Sequence, residues 1–594
     1  MKKWHQLPFL MLLTLLWSSN LFGQATASGT IQGTVTDNSG AVVVGAEVTA
    51  VHKATGTART TLTGDSGAFR FDLLPVGNYN ITATKSGFSK SITSMELMVG
   101  QTATINAQLK PGGSNEVVEV TAESVLVDQT KTSVSQNVTP SEVQELPLIG
   151  RDVANLAYLV PGVKAADSYD PTKSRYAILS VNGQDGRNVN VTVNGIDNKD
   201  STVGGPVMQL PLEAVEEFAI STQRFSAANG RSEGAAVNMI TKSGTNSYHG
   251  SLFGFFRDQA LNAIDTISAE GSGQKPPYSR QFFGGSVGGP IVKDKLFAFF
   301  AYERQREHTS IPERGSAFSE LQLVTSLGAQ PAAVIPTPFF ENRYNGRLDY
   351  KFSDRETAYI SYSSQANNSL NDQSDQQGDL TGGNFTKNHL QVANFTLNSV
   401  LSNTLVNSFT FGYQYWNNLI DSELKVPYVT FAGGEWFGTN VNVPQQSYQR
   451  KFQFRDDVTK TLGKHTLKGG VDYIWTPRVG GFFESNSTLE IDFGADPSAI
   501  LADPVKYPQG FSSPGLIVGM SASGGDPKFL LSVKQLGLYF QDDWKVTNRL
   551  SLNLGLRWDK DFNLIGATAI QNSRTFQELQ AIGSPYAKLP HDDN

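Results

Sequence analysis

Residues 550–559 read Leu-Ser-Leu-Asn-Leu-Gly-Leu-Arg-Trp-Asp. In an extended chain successive side chains point to opposite faces. Leu550, Leu552, Leu554, Leu556 and Trp558 therefore share one face, and Ser551, Asn553, Gly555, Arg557 and Asp559 share the other. The pattern recurs upstream. Tyr344, Gly346, Leu348, Tyr350 and Phe352 alternate with Asn345, Arg347, Asp349 and Lys351, and Phe409, Phe411, Tyr413 and Tyr415 alternate with Ser408, Thr410, Gly412 and Gln414. Strands of about ten residues, apolar outward and polar or charged inward, are the signature of a transmembrane β-barrel with a wet lumen. A soluble sandwich with one solvated face shows the same alternation, so the connections between strands have to decide.

Strands are expected near 248–257, 280–290, 295–305, 340–352, 356–365, 387–399, 404–416, 450–461, 465–476, 533–546 and 549–560. Long connections fall at 258–279, 306–339, 366–386, 417–449 and 477–532, and short ones at 291–294, 353–355, 400–403, 462–464 and 547–548. They alternate strictly. Short periplasmic turns and long extracellular loops give an outer-membrane barrel this rhythm, and a sandwich has no reason to put every long loop at one end.

Composition fits a β-rich membrane wall. The 594 residues include 56 Gly and 10% aromatics, with only 17% charged residues. Disorder is excluded, since 39% hydrophobic content can build a core. After Trp17 no apolar run reaches the roughly 18 residues of a membrane helix. A net charge of −7 gives no overall basic field for nucleic acid. The absence of Cys removes disulfides, iron–sulfur clusters and thiolate zinc sites.

At the N-terminus Lys2 and Lys3 precede an apolar run from Leu7 to Trp17, and small residues follow at Gly23 to Ala27. This is the order of a secretory signal peptide, assigned to residues 1–25. Residues 26–112 read as a small β-sandwich. Turn chemistry recurs at Asp37-Asn38-Ser39-Gly40, Asp65-Ser66-Gly67 and Pro75-Val76-Gly77, and Phe69, Phe71 and Leu73 alternate with Arg70 and Asp72. After Pro111-Gly112-Gly113 comes an extended, β-branched heptapeptide: Glu116, Val117, Val118, Glu119, Val120, Thr121 and Ala122. It reads either as a free strand suited to pairing with a partner sheet or as a last strand of the sandwich.

The stretches GTVTDNSGAVVVGAEVTA and GDSGAFRFDLLPVGNYNITATKSGF resemble the carboxypeptidase-regulatory-like (transthyretin-like) domain, a carbohydrate-binding-like fold. No His begins H-x-x-E or H-E-x-x-H, so metallopeptidase chemistry lacks its ligand pair. LPLIGRDVANLAYLVPGV, LSVNGQDGRNVNVTVNGIDN and LPLEAVEEFAISTQRFSAANGRSEGAAVNMITKSGTN resemble the plug domain of TonB-dependent outer-membrane receptors. ITKSGTNSYHGSLFGFFRD, RQFFGGSVGGPIVKDKLFAFFAYE and LSLNLGLRWD resemble the large Oar-like members of that family, which begin with a regulatory-like domain.

The resemblance implies a linker at 113–128 whose heptapeptide is the TonB box, a plug at 129–245, and barrel from 246 to 594. It also implies partners: outer-membrane lipid, the TonB energy-transducing protein, and an extracellular ligand such as a siderophore, carbohydrate or peptide. The regulatory-like domain and TonB box would then be periplasmic and the long loops extracellular. The implied function is import of that ligand by plug movement; the alternative is a non-transporting surface protein for adhesion, carbohydrate binding or secretion.

The expected fold is thus mainly β: a transthyretin-like sandwich, an α+β plug and an incomplete antiparallel barrel. Only eleven strands are read, against about 22 for a plugged receptor barrel. The reading ends inside what would be a sixth long loop, and Leu589 to Asn594 lack the aromatic-ended final strand that the family resemblance implies. The expectation is an open, curved sheet partly wrapped around the plug, unable to form a closed pore by itself.

Candidate chemistry is sparse. Gly284-Gly285-Ser286-Val287-Gly288 matches G-x-S-x-G, but Gly289-Pro290 and a further strand follow where a nucleophile elbow needs a helix. Asp197 and Asp200 supply too few oxygens for calcium and read as a solvated plug loop. Glu213, Glu216 and Glu217 read as a helix-like face. Arg151, Arg187 and Arg231 are candidates for pairing plug to barrel lumen. No enzyme activity, cofactor or metal is expected.

Overall fold

The computed structural model describes residues 28–112, 117–121, 132–148, 150–166, 178–184, 186–201, 204–264, 266, 274–312, 315–372, 379–484, 487–525, 527–547, 550–563 and 566–589. The signal-peptide reading, and Glu116 and Ala122 of the heptapeptide, lie outside the described residues.

The first layer is a sandwich of two sheets. Its strands are β1 (Gly29–Asp37), β2 (Glu47–His52), β3 (Ala58–Leu62), β4 (Ala68–Leu74), β5 (Gly77–Thr84), β6 (Lys90–Leu97), β7 (Thr102–Thr104), β8 (Ala107–Leu109) and β9 (Val117–Thr121). One sheet runs β4-β1-β7, with β8 also on β1; the other runs β3-β2-β5-β6-β9. Phe69 and Phe71 enter a core with Ile31, Val35, Val48, Tyr79 and Leu109, while Arg70 pairs with Asp72 at 2.8 Å outside it. Leu73 and Leu74 are both buried. The strict alternation breaks there because Leu73 takes φ 55°.

The plug carries β10 (Val134–Val138), β11 (Val163–Ala166), β12 (Ile178–Val181), β13 (Val189–Val193), β14 (Ile196–Asp197), β15 (Val215–Gln223) and β16 (Ala235–Thr241). Five of them form a mixed sheet in the order β10-β15-β16-β13-β14, with β13 parallel to β16. A helix at Pro140–Glu145 starts on a capping box between Thr139 and Glu142. Glu216 and Glu217 lie on β15, and only Glu213 sits in a helical turn, Leu212–Ala214. The helix-like face expected for these three glutamates is therefore corrected. Pairing of Val215–Ser221 with β16 overrides the local acidic–apolar pattern.

The wall is made of β17 (His249–Asp258), β18 (Ser279–Val292) and β19 (Leu296–His308), then, past a small ribbon of β20 (Ser310–Pro312) and β21 (Val334–Pro336), of β22 (Phe339–Lys351), β23 (Glu356–Leu370), β24 (Asn384–Ser402) and β25 (Leu405–Ser422). Beyond β26 (Tyr428–Thr430) and β27 (Trp436–Phe437) it continues through β28 (Gln445–Leu462) and β29 (His465–Phe483). Beyond β30 (Glu490–Phe493) and β31 (Ile517–Ser521) it ends in β32 (Lys528–Thr547) and β33 (Leu550–Phe562). The eleven wall strands are antiparallel neighbours in chain order, and β17 and β33 lie at opposite ends of the sheet without pairing to each other. The barrel is incomplete, as expected from the strand count.

All eleven strands occur where the alternation puts them, but they outgrow it at the long-connection end. β25 runs to Ser422, β29 to Phe483, and β32 begins at Lys528. The ladder continues there beyond the apolar band, held by neighbour pairing, so the outward face no longer needs apolar residues.

The long connections are not simple loops. β26, β27, β30 and β31 form a four-stranded sheet from two separate connections. Together with helices Gly315–Gln322 and Pro497–Ala502 they enclose a core of Leu321, Val324, Val429, Phe431, Phe437, Phe493, Ile500 and Leu516. A small cored cap therefore stands on the long-connection side. The sandwich stands on the other, where Asn246 donates to the Thr55 carbonyl at 2.8 Å and Asn403 to Thr61 Oγ1 at 3.4 Å.

Candidate functional site: the plug seat and the coupling strand

Arg151 sits in a left-handed backbone conformation at φ 49°, just ahead of the turn Val153–Leu159. Its Nε donates to Glu303 Oε2 of β19 at 2.9 Å, and its guanidinium lies 4.0 Å from the Phe253 ring centre on β17. Arg343 of β22 bridges Glu303 at 3.2 Å and Glu341 at 2.5 Å, and donates to the Arg151 carbonyl at 3.2 Å. Glu213 of the plug also lies 3.4 Å from Arg151, so two arginines and three glutamates pair in a nearly dry place, where an unpaired charge would be costly.

Arg231, also left-handed at φ 55°, reaches Asp197 at 2.7 Å and Asp472 of β29 at 3.4 Å. Lys451 of β28 meets the other oxygen of Asp197 at 2.7 Å. Burial pushes the Asp197 carboxyl up, but the Lys451 ammonium and the Arg231 guanidinium outweigh it and hold it at about 2. Asp197 and Asp200 are 4% and 1% exposed. The solvated loop expected there is corrected: the wall closes over it and supplies the cation that makes its burial tolerable. Arg187 is exposed on the Gly186–Asn188 turn. Among the described residues no group of three or more His, Cys, Asp or Glu is placed to hold a metal ion.

Ser286 lies within β18, and its hydroxyl hydrogen-bonds to Ser251 at 2.9 Å, which in turn donates to Glu213 of the plug at 2.7 Å. It is a rung between wall and plug, on a strand rather than at an elbow.

Sequence reasoning missed two parts of the seat. Four wall glutamines accept plug backbone N–H groups: Gln453 from Asp197 at 2.9 Å, Gln449 from Ser201 at 3.2 Å, Gln365 from Gln209 at 2.8 Å and Gln541 from Ala227 at 3.0 Å. Their signal was their place on the inward parity of three strands, β23, β28 and β32. The second part is apolar. Leu390, Val392 and Trp416 face inward and join the plug core around Val207, Met208 and Leu210. Next to them Gly412 leaves the space that Ile196 fills; a Cβ there would lie 2.5 Å from Ile196 Cδ1.

On the short-turn side, a cavity of about 1880 Å³ separates sandwich, plug and wall, lined among others by Thr34, Asn106, Arg224, Asn229, Lys468 and Trp544. Glu217 bridges the first two units. The Val99 N–H donates to both its oxygens, at 3.0 and 2.8 Å, and the Asn137 amide donates as well. Burial pushes the Glu217 carboxyl up to about 7 despite these donors, aided by Glu216 and Glu96 nearby. Val117–Thr121 of the heptapeptide pairs in parallel with β6.

An open antiparallel wall, apolar outside and polar inside, filled by a mixed-sheet plug, is matched by a family model. The model described as "Outer membrane beta barrel domain" covers residues 240–323 and 322–578. The chain belongs to the outer-membrane β-barrel family. It resides in the outer membrane, and its homologues there are TonB-dependent receptors. A second model, "Carboxypeptidase regulatory-like domain", matches residues 30–110, the sandwich.

The "TonB-dependent transporter Oar" of Myxococcus xanthus is 30% identical over 302 residues, 48% of this chain and 27% of that protein. The "Probable TonB-dependent siderophore receptor PirA" of Acinetobacter baumannii is 24% identical over 470 residues, 75% of this chain and 55% of that protein. The chain thus spans about a quarter and about half of these relatives' lengths. Among solved structures, the outer membrane transporter YddB from Escherichia coli shares the fold at a TM-score of 0.52 and 12% identity, over 72% of this chain and 56% of that one. One of these relatives is named as a transporter and the other as a probable receptor.

Proposed function

We propose that this barrel chain serves ligand import: an extracellular ligand is held by the long connections and the plug apex, and is released inward when a periplasmic energy-transducing protein of the TonB type pulls the plug. The observation that carries this is how the plug is seated. It is held largely by ion pairs and by hydrogen bonds that its backbone N–H groups donate to wall glutamines, contacts that water can replace as the plug moves. A plug serving only as a permanent stopper would gain more from continuous apolar packing.

Glu116–Ala122 is the proposed coupling segment; its Val117–Thr121 is the last strand of the sandwich before the plug in the chain. The ligand class follows the relatives only loosely; a siderophore is the first probe to try, since one relative carries that word in its name. A second reading, a non-transporting surface protein for adhesion or secretion, draws on the cored cap at the long-connection side.

Val118→Pro separates the two. Proline removes a backbone donor and blocks strand addition. For an importer, ligand should still bind at the cell surface while accumulation fails, as it should when the proton-motive force is collapsed. Normal accumulation in the Val118→Pro variant would sink the coupling assignment.

A further inference from the structure

We infer that the sandwich presents the coupling strand, and that a β-strand of the periplasmic partner adds to the outer edge of β9 without displacing it from β6. The inference rests on the reading of Glu116–Ala122 as the coupling segment.

The register is explicit: Lys90 faces Val117, Ser91 faces Val118, Ile92 faces Glu119, Thr93 faces Val120 and Ser94 faces Thr121. In the sheet order β3-β2-β5-β6-β9 this puts β9 at the end, and no described strand pairs with its far side. The other end of the same sheet is different, because Thr61 of β3 meets Asn403 from a wall turn. Exposed sheet edges are normally defended by Pro, Lys, a bulge or a cover. Val117-Val118-Glu119-Val120-Thr121 contains neither Pro nor Lys, and its ladder with β6 is unbroken. Among the described residues this end of the sheet is a run of β-branched residues with a free ladder side, a template for one kind of occupant, another extended chain.

Energetics favour addition over exchange. Ordering five residues costs about 1–2 kcal/mol each, and pairing with β6 has already met that cost. Displacement would break the whole ladder before any new bond formed, whereas addition breaks nothing. The platform is itself anchored, through Val99 to Glu217 and through Asn246 to Thr55. A pull on β9 would therefore load the sandwich sheet together with the plug.

The chain has no cysteine, so a Ser91→Cys/Val118→Cys pair can lock β6 to β9 on a clean background. The probe is the purified periplasmic C-terminal domain of the energy-transducing protein from the same bacterium, titrated against the full chain in detergent. The oxidised pair should form in the resting protein and bind this domain as tightly as the reduced pair, or up to roughly tenfold tighter through preorganisation. Binding that falls more than tenfold on oxidation and returns with reductant would overturn presentation in favour of displacement, leaving the coupling assignment intact. Failure of the pair to oxidise, with both cysteines labelled fully once the chain is unfolded in denaturant, would also overturn it. If the reduced pair, the unsubstituted chain and Val118→Pro all bind equally or not at all, the coupling assignment fails, and presentation with it.

Discussion

Gly412 occupies an inward position of β25, where neighbouring lumen residues are polar, and its missing side chain is the seat of Ile196. Gly412→Ala would put a methyl into an already filled space, at about 1–3 kcal/mol for overpacking. The thermal midpoint of the detergent-solubilised protein should fall, and the double variant with Ile196→Ala should lose less than the two single losses added. Strict additivity would mean that the two positions do not touch. Glu217 supports a second expectation. Its carboxyl is held near 7 in the docked state against an ordinary 4.5, so docking the sandwich on the plug binds protons. The contact is strongest below about pH 4.5 and weakens as pH rises through 7, over a range worth at most roughly 3 kcal/mol. Limited proteolysis between the two units should be slower at pH 6 than at pH 8. Glu217→Gln should flatten that difference; an unchanged pH profile would exclude this carboxyl as its source.

At the scale of the element, β33 separates lipid from lumen residue by residue. Leu554, Leu556 and Trp558 are 56%, 77% and 50% exposed on the outer face. Asn553 donates to Asp543 at 2.7 Å, and Arg557 lies 3.7 Å from Asp472, both toward the lumen. Leu554→Arg places a charge against hydrocarbon and should cost about 2–4 kcal/mol near mid-membrane. Asn553→Arg, beside a lumen carboxylate, should cost much less. The check is the yield of folded, heat-modifiable protein after insertion into lipid, and equal losses would refute the assignment of faces. Outward aromatics support the same division. Tyr413 packs on Phe452, and Phe452 on Trp475, with ring centres 5.4 and 5.6 Å apart across three strands, as in the aromatic girdles of outer-membrane barrels.

At the scale of the molecule, plug and wall are joined by charges that make sense only in pairs. Lys451→Met leaves Asp197 buried with Arg231 alone. Breaking one side of a buried pair costs about 3–5 kcal/mol, and the remaining arginine puts the expected loss at the lower end. Asp197→Asn added to Lys451→Met should restore much of it, because the uncompensated charge is gone. Protease sensitivity of the plug within an intact wall reads both variants, and no rescue by the second substitution would show that Lys451 acts through packing and not through charge.

The wall was legible in the sequence because its rule is local. A strand with lipid on one side and water on the other must alternate with period two, and that constraint is written into Leu550–Trp558 and Phe409–Tyr415 without knowledge of any neighbour. The pairing roles of Arg151 and Arg231 could be suspected, since a polar lumen needs partners, but not their partners. Glu303, Asp472 and Lys451 lie 152, 241 and 254 residues away from the groups they meet. The burial of Asp197, the seat at Gly412, the bridge at Glu217 and the cored cap likewise depend on which strand of a curved sheet faces which turn of the plug. No period along the chain encodes that. Sequence alone determined the architecture, because hydrocarbon and water impose it strand by strand; only the tertiary structure decided the plug seat and the sandwich contact, because both are built from residues that meet only after the wall has curved.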